Sequence, residues 1–315
     1  MQNVLVTGGA GFIGSHLCDK LLKEGYKVMC LDNLLTGSKK NIEHLLDNPK
    51  FEFIEADITK PFTFNISPFT HIFHLASPAS PVDYQNYPEE TLLTNSLGTL
   101  RVMVLARETR AKLLIASTSE VYGDPLEHPQ KETYYGNVNS FGPRSCYDEG
   151  KRFAEAAAYV YIHKYETDVR LVRIFNTYGP RMQKDDGRVV SNFINEALKD
   201  SSLKVDGDGS QTRSFCFVSD MVEGIAKAMF SDKTKGQIFN LGNPEEYKIK
   251  DLAEKIIKLT GSKSKTEFND AFRENDPMRR QPDIAKAKKV LDWEPKINLE
   301  EGLQKTIEYY KSIKN

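Results

Sequence analysis

The stretch Val4-Leu5-Val6-Thr7-Gly8-Gly9-Ala10-Gly11-Phe12-Ile13-Gly14 decides the fold. Three apolar residues make a short strand, and glycine then recurs at Gly8, Gly11 and Gly14, ahead of an amphipathic run over Phe12–Lys23. Strand, glycine turn and helix in that order form a unit that holds a pyrophosphate. The first glycine makes the tight turn, the second lets the backbone approach the phosphates, and the third lets the helix pack close to the strand. Free N–H groups and the dipole at the start of such a helix favour an anion.

Outward from that unit, short apolar runs alternate with amphipathic ones. Strands are predicted near Val4–Val6, Val28–Leu31, Phe51–Ile54, His71–Leu75, Lys112–Ser117 and Val169–Ile174. Helical spacing marks Phe12–Lys23, Thr91–Glu108 and Cys146–Tyr165. This rhythm predicts an α/β protein with a Rossmann-like doubly wound parallel sheet. After Tyr178-Gly179-Pro180-Arg181 it breaks into polar loops, the helices Val189–Leu198 and Met221–Ala228, and short strands near Leu203–Val205 and Gln237–Asn240. These are expected to form a smaller C-terminal substrate-binding lobe, with the amphipathic Leu299–Ile313 as its capping helix. The expected division is 1–178 for the dinucleotide-binding domain, which carries the catalytic pair, and 179–315 for the lobe, interleaved with it. The lysine-rich Ser262–Lys265 reads as a solvated turn.

Among 315 residues, 43 Lys and Arg nearly cancel 44 Asp and Glu. No whole-surface field then argues for nucleic acid or membrane, and a small ligand is expected. Cys18, Cys30, Cys146 and Cys216 lie far apart without a CxxC pair, so neither a metal site nor a disulfide framework is expected. With no basic, long-apolar leader before Val4, the expectation is a cytoplasmic chain.

Asp32, at the end of the second predicted strand, takes the acidic position that hydrogen-bonds ribose hydroxyls and repels a 2′-phosphate, so NAD is favoured over NADP. Lys39 and Lys40 follow where they would soften that repulsion. Asp57-Ile58 has two open readings, an adenine contact or a strand-end cap. Tyr147 and Lys151 lie four apart on a predicted helix and share a face, where an ammonium would lower the tyrosine pKa toward a working base. Tyr310 and Lys314 repeat that spacing with no site beside them. The helix of Tyr147 follows a strand ending in Ser117-Thr118-Ser119-Glu120, at the sheet edge where ligands of this fold bind. Thr118 or Ser119 there reaches the same substrate oxygen as Tyr147. Cys146 points about 100° away round the helix and reads as packing.

TGGAGFIG from Thr7, the DN at Asp32, HLAS at His74–Ser77, STSEVYG at Ser117–Gly123, YxxxK, RIFNTYGP at Arg173–Pro180 and RRQPD at Arg279–Asp283 fall in order along the chain. Together they resemble the extended short-chain dehydrogenase/reductases that act on nucleotide sugars. More narrowly, GPRSCYDEGKR at Gly142–Arg152, with HLASPASP, DGRVVSNF and GSQTRSF, resembles the UDP-glucuronate decarboxylases, also called UDP-xylose synthases. The resemblance implies an NAD site made by Gly8, Gly11, Phe12, Ile13 and Gly14; by Asp32, Asn33, Thr36 and Gly37; by Asp57 and Ile58; by Leu75, Ala76 and Ser77; and by Thr177 with Tyr147 and Lys151. It implies catalysis by Thr118, Ser119, Glu120, Tyr147, Lys151 and Arg280, and UDP-sugar binding by Tyr84, Asn176, Arg188, Arg213 and Arg279.

The implied reaction oxidises C4 of the sugar, loses carbon dioxide from the resulting β-keto acid and reduces C4 again, so NAD is tightly bound and recycled. Several roles stay open on the residues alone. Glu120 is either catalytic or positioning, Arg279 and Arg280 compete for one role, and Tyr84 and Arg188 are either sugar contacts or mobile loop side chains. Arg144 stays unassigned between a dinucleotide contact and a helix cap. Serine at 119, where many related 4,6-dehydratases carry an acid, disfavours dehydration. Rival activities are a UDP-glucuronate 4-epimerase, an oxidative decarboxylase that releases the ketone and NADH, another nucleotide-sugar dehydratase or epimerase, and an inactive NAD-binding regulatory module. Spare apolar residues such as Leu97, Val102, Phe153, Ala156 and Ala157 imply a homodimer through a four-helix bundle, unless the C-terminal lobe covers them.

Overall fold

The structure, a computed structural model, describes residues 2–62, 69–269 and 279–313. Seven parallel strands form the central sheet: β1 (Asn3–Thr7), β2 (Lys27–Asp32), β3 (Phe51–Glu55), β4 (His71–His74), β5 (Lys112–Thr118), β6 (Val169–Ile174) and β7 (Ile238–Leu241). Their spatial order is β7-β6-β5-β4-β1-β2-β3. The order reverses between β1 and β4, and crevices at the carboxyl ends of strands beside such a reversal take ligands.

Alternation along β1 shows why the strands read as continuous apolar runs. Val4 and Val6 enter one core with Phe73, Met221, Phe239 and Trp293, while Leu5 enters another with Ile72, Val102, Leu113 and Ala154. Both faces are covered, so the central positions Val4, Leu5 and Val6 are all apolar. The strand expected near Gln237 in the C-terminal lobe is instead β7, paired in parallel with β6 through Ile238↔Leu171 and Leu241↔Ile174. A run that short carries no sign of which sheet it joins.

The helix α1 (Phe12–Lys23) follows the glycine turn. Proline opens both α2 (Pro81–Asn86) and α3 (Pro88–Leu93), and Ser80 caps α2 by accepting from the Asp83 N–H at 3.0 Å. A single helix was expected over Thr91–Glu108. A π turn at Thr94–Gly98 divides it into α3 and α4 (Thr99–Thr109). The wider turn seats Gly98 on Ile58 and Asn95 on Gly150 of the long helix α5 (Ser145–Tyr165), where an added Cβ at Gly150 would lie 2.9 Å from the Asn95 Cβ. Apolar periodicity cannot register one extra residue in a turn.

The C-terminal part contributes α6 (Val189–Leu198), α7 (Val218–Phe230), α8 (Ile249–Thr260), α9 (Ala285–Leu291) and α10 (Leu299–Ser312). Leu203–Asp206 pairs with Thr266–Asn269, and Thr212–Ser214 lies between Glu246–Lys248 and Arg279–Arg280. The buried Tyr310 hydroxyl of α10 donates to the Met182 carbonyl at 3.0 Å, and Lys314 lies outside the described residues. Among the described residues all four cysteines are free, and no helix is long and apolar enough to cross a membrane.

Candidate active site

A cleft of about 370 Å³ opens at the carboxyl ends of the strands. At its floor the glycine turn is tight for a stated reason. Gly8 sits at φ +74° with its backbone against Ala76, and a Cβ on Gly14 would overlap the Gly8 carbonyl. A side chain on Gly14 would thus force apart the turn and helix whose N–H groups receive an anion. Asp32 is buried, with its oxygens accepting from Ala10 N–H at 3.0 Å and Leu34 N–H at 2.9 Å. Burial raises its pKa against those two donors. Lys39 does not soften the acid: it pairs with Glu55 at 2.8 Å. Asp57 realises the cap reading by accepting from the backbone and hydroxyl of Thr59, each at 2.8 Å, and it also lines the cleft.

All the residues assigned to a dinucleotide line this one cleft: Gly8, Gly11, Phe12, Ile13 and Gly14, then Asp32, Asn33, Thr36 and Gly37, then Asp57, Ile58, Leu75, Ala76, Ser77 and Thr177. Anion-receiving turn and unpaired-with-cation ribose acid fit NAD in their chemistry. Thr118, Ser119, Glu120, Tyr147, Lys151 and Arg280 share the cleft with them, as do Tyr84, Asn176, Arg188 and Arg213. Arg279 does not. The parallel pairing of Arg279–Arg280 with Thr212–Arg213 points adjacent side chains to opposite faces, leaving Arg279 exposed and Arg280 buried. That alternation separates the two arginines.

Tyr147 and Lys151 stand on the first turns of α5, facing the end of β5. The Thr118 side chain neighbours Tyr147 and acts to lower its pKa. Lys151 donates to the Ala116 carbonyl at 2.9 Å, with its Nζ 5.8 Å from the Tyr147 ring centre. The ammonium was expected to pull the tyrosine pKa down. Burial instead pushes Tyr147 up to about 12, against the Thr118 side chain, and pulls Lys151 down to about 7. Both charged forms are costly in so dry a site.

Tyr84, expected in a loop, is held on α2 and fully buried, stacked on Tyr147 with ring centres 5.1 Å apart. Its hydroxyl has no partner among the described residues. Arg188 donates to the Ala79 carbonyl at 2.9 Å, and buried Arg213 donates to the Thr212 carbonyl at 2.9 Å. Cys146 packs as expected, with its thiol on the Tyr84 carbonyl at 3.4 Å.

The strongest electrostatic feature is Glu120, on the short turn Ser119–Tyr122. Both its oxygens are engaged by Arg280, and one of them also by Arg144. Burial opposes its charge, but the two guanidiniums hold it down at about 2. Asp148, 3.8 Å from Arg144, is pushed up to about 7 by burial and then by the charge of Glu120. Sequence reasoning missed Asp148 and gave Arg144 no role. The signal was Arg144 and Asp148 at i,i+4, bracketing Tyr147 on one helical turn.

The GDP-mannose 4,6 dehydratase family matches residues 5–306. UDP-glucuronic acid decarboxylase 1 of Danio rerio is 51% identical over 309 residues, covering 98% of this chain and 72% of that one. The chain belongs to the UDP-glucuronic acid decarboxylase family. UDP-glucuronic acid decarboxylase 6 of Arabidopsis thaliana is 52% identical over 306 residues, or 96% of this chain and 87% of the relative. Among solved structures, UDP-glucuronic acid 4-epimerase from Bacillus cereus, in complex with UDP-glucuronic acid and NAD, superposes with a TM-score of 0.89 at 29% identity, covering 99% of this chain and 100% of that one. The decarboxylase family and this epimerase thus share the parallel sheet described above.

Proposed function

We propose that this chain converts UDP-glucuronate to UDP-xylose and carbon dioxide through a UDP-4-keto sugar, with NAD bound tightly and recycled. The observation that carries this reading over dehydration is the state of Glu120. Expelling a hydroxyl calls for a protonated acid, and Glu120 in the cleft wall is held ionised by Arg144 and Arg280, while its neighbour at 119 is serine. Decarboxylation needs no acid for its leaving group, because the electrons of the broken bond pass into the C4 carbonyl.

In this reading Tyr147 takes the proton of the C4 hydroxyl and Thr118 shares the same oxygen. When bound, NAD would supply a hydride acceptor and donor for C4 and a positive ring charge that favours the Tyr147 phenolate. Tyr147 and Thr118 then hold the oxyanion that develops as carbon dioxide leaves, an effect worth about 3–4 kcal/mol per well-placed donor, and C5 takes up a proton to restore the 4-ketone before C4 is reduced. Arg280 has a buried Nε with no partner among the described residues and would face the sugar carboxylate, while Arg213, Arg188 and Asn176 would receive the nucleotide end. The dinucleotide is assigned to 1–178 and most of the UDP-sugar contacts to 179–315.

The four free thiols fit a reducing compartment such as the cytoplasm. The exposed apolar residues of α3 and α5 fit a homodimer through a four-helix bundle. Incubating the protein with UDP-glucuronate while following carbon dioxide, sugar products and NADH absorbance tests the activity. Carbon dioxide and UDP-xylose without lasting NADH are expected. A galacturonate product would support the 4-epimerase, and NADH formed in step with carbon dioxide would support the oxidative enzyme.

A further inference from the structure

Two guanidiniums hold Glu120, and the structure makes them unequal. Arg280 comes from a strand 160 residues further along the chain. It engages Glu120 through both terminal nitrogens, keeps a buried Nε without a partner among the described residues and lines the cleft. Arg144 belongs to the same helical turn as the base. Its carbonyl accepts from the N–H groups of Tyr147 and Asp148, each at 3.0 Å, and its guanidinium lies 6.0 Å from the centre of the Tyr84 ring that stacks on Tyr147.

We propose that Arg144 is a positioning residue that keeps Glu120 in place and ionised beside Tyr147 while Arg280 turns donors to the carboxylate of the substrate. The inference rests on the decarboxylase reading. Its logic is a count of buried charge. With both arginines on Glu120 and the Asp148 carboxyl pushed up to about 7, the cluster carries a surplus positive charge, suited to an incoming anion, while Asp148 is protonated. Once the substrate carboxylate shares Arg280, Glu120 faces a second anion, and Arg144, which also lies 3.8 Å from Asp148, is the guanidinium that stays on it. A buried carboxylate stripped of its partner beside a like charge takes up a proton.

The charged and titratable groups facing Glu120 are Arg144, Tyr147 and Asp148 from α5, Tyr84 from α2, and Arg280. Asp148 titrates near neutrality, at about 7, whereas Glu120 is held at about 2. A new acid limb in a variant must therefore be separated from Asp148.

The test measures kcat and KM for UDP-glucuronate from acid to alkaline pH in Arg144→Gln, Arg144→Lys and the double variant Arg144→Gln/Asp148→Asn, with NAD binding and thermal melting as checks of folding. In Arg144→Gln, kcat is expected to fall about 10- to 100-fold with KM changed less than about threefold. The acid limb of kcat should climb by about one pH unit or more as Glu120 loses a cation. That climb should persist with Asp148→Asn, and Arg144→Lys should keep at least about a third of kcat with its limb near the wild-type position. An unmoved limb in Arg144→Gln overturns the proposal, as does a limb that moves only while Asp148 is present. If Arg144→Gln does not fold, a loss beyond about tenfold in Arg144→Lys overturns it. Failure of the wild-type protein to release carbon dioxide would instead remove the decarboxylase reading.

Discussion

Tyr147 illustrates what a residue-scale argument from sequence can and cannot reach. Its spacing from Lys151 and its place after Ser117-Thr118-Ser119 were legible, because four residues on a helix share a face whatever surrounds them. Its proton affinity was not, because that depends on dryness. Burial lifts the phenol to about 12 and drops the lysine to about 7. Tyr147→Phe removes the hydroxyl and keeps the ring that stacks on Tyr84. NAD and UDP binding should therefore survive while kcat falls by about 10²-fold or more. Turnover within a few-fold of wild type, measured as carbon dioxide release, would take Tyr147 out of the base role.

Asp148 gives a second residue-scale prediction. Its carboxyl rises from 3.8 to about 7 in the folded chain, from burial and then the charge of Glu120. The folded state thus prefers the protonated form, and stability is lost as pH rises between those two values. Asp148→Asn mimics the neutral acid and escapes that loss. Its melting temperature should exceed the wild-type value at pH about 8, with the gap closing toward pH about 4. Melting curves at the two pH values check this, and a gap that does not change with pH would contradict it.

Between elements, a buried network fixes α5 against the sheet. Arg173 of β6 donates to Glu155 of α5 at 2.7 and 2.9 Å, and Ser117 of β5 donates to the same Glu155 at 2.5 Å. Glu155 is one turn beyond Lys151, and Ser117 immediately precedes Thr118, so the ion pair sets the base-bearing helix in register with the strand that carries Thr118. Breaking such a pair on one side leaves an uncompensated buried charge. Arg173→Met should cost about 3–5 kcal/mol of stability in urea unfolding. Replacing both partners, as Arg173→Met with Glu155→Leu, should recover part of that loss. Additive losses in the two single variants would show that the residues do not act as a pair. At this scale the strands β1 to β6 and the helices α1 and α5 were legible because short apolar runs alternate with amphipathic ones in a regular rhythm. The π turn at Thr94–Gly98 and the attachment of β7 were not, since both are set by contacts with distant segments.

For the molecule as a whole, the question is what covers the outer face of α3, the π turn and α5. The sequence could not divide that surface, because apolar residues on several faces of a helix look alike until packing sorts them. The structure sorts them: Val102 and Ala157 belong to the inner core, whereas Leu97 and Phe153 stay 39% and 41% exposed with the C-terminal part already in place. Leu92, Leu93, Tyr159 and Val160 are exposed on the same helices, and Ala156 with them. Among the described residues the C-terminal lobe does not cover this face. Contiguous apolar surface of this kind marks an association site. A two-fold pairing would repeat the same side chains across the axis, so a charge placed there meets its own copy. Leu97→Glu with Phe153→Glu should accordingly halve the mass seen in sedimentation equilibrium, while NAD binding persists because neither residue lines the cleft. A wild-type chain that sediments as a monomer, or a double variant that keeps the wild-type mass, would rule out this face as the dimer contact.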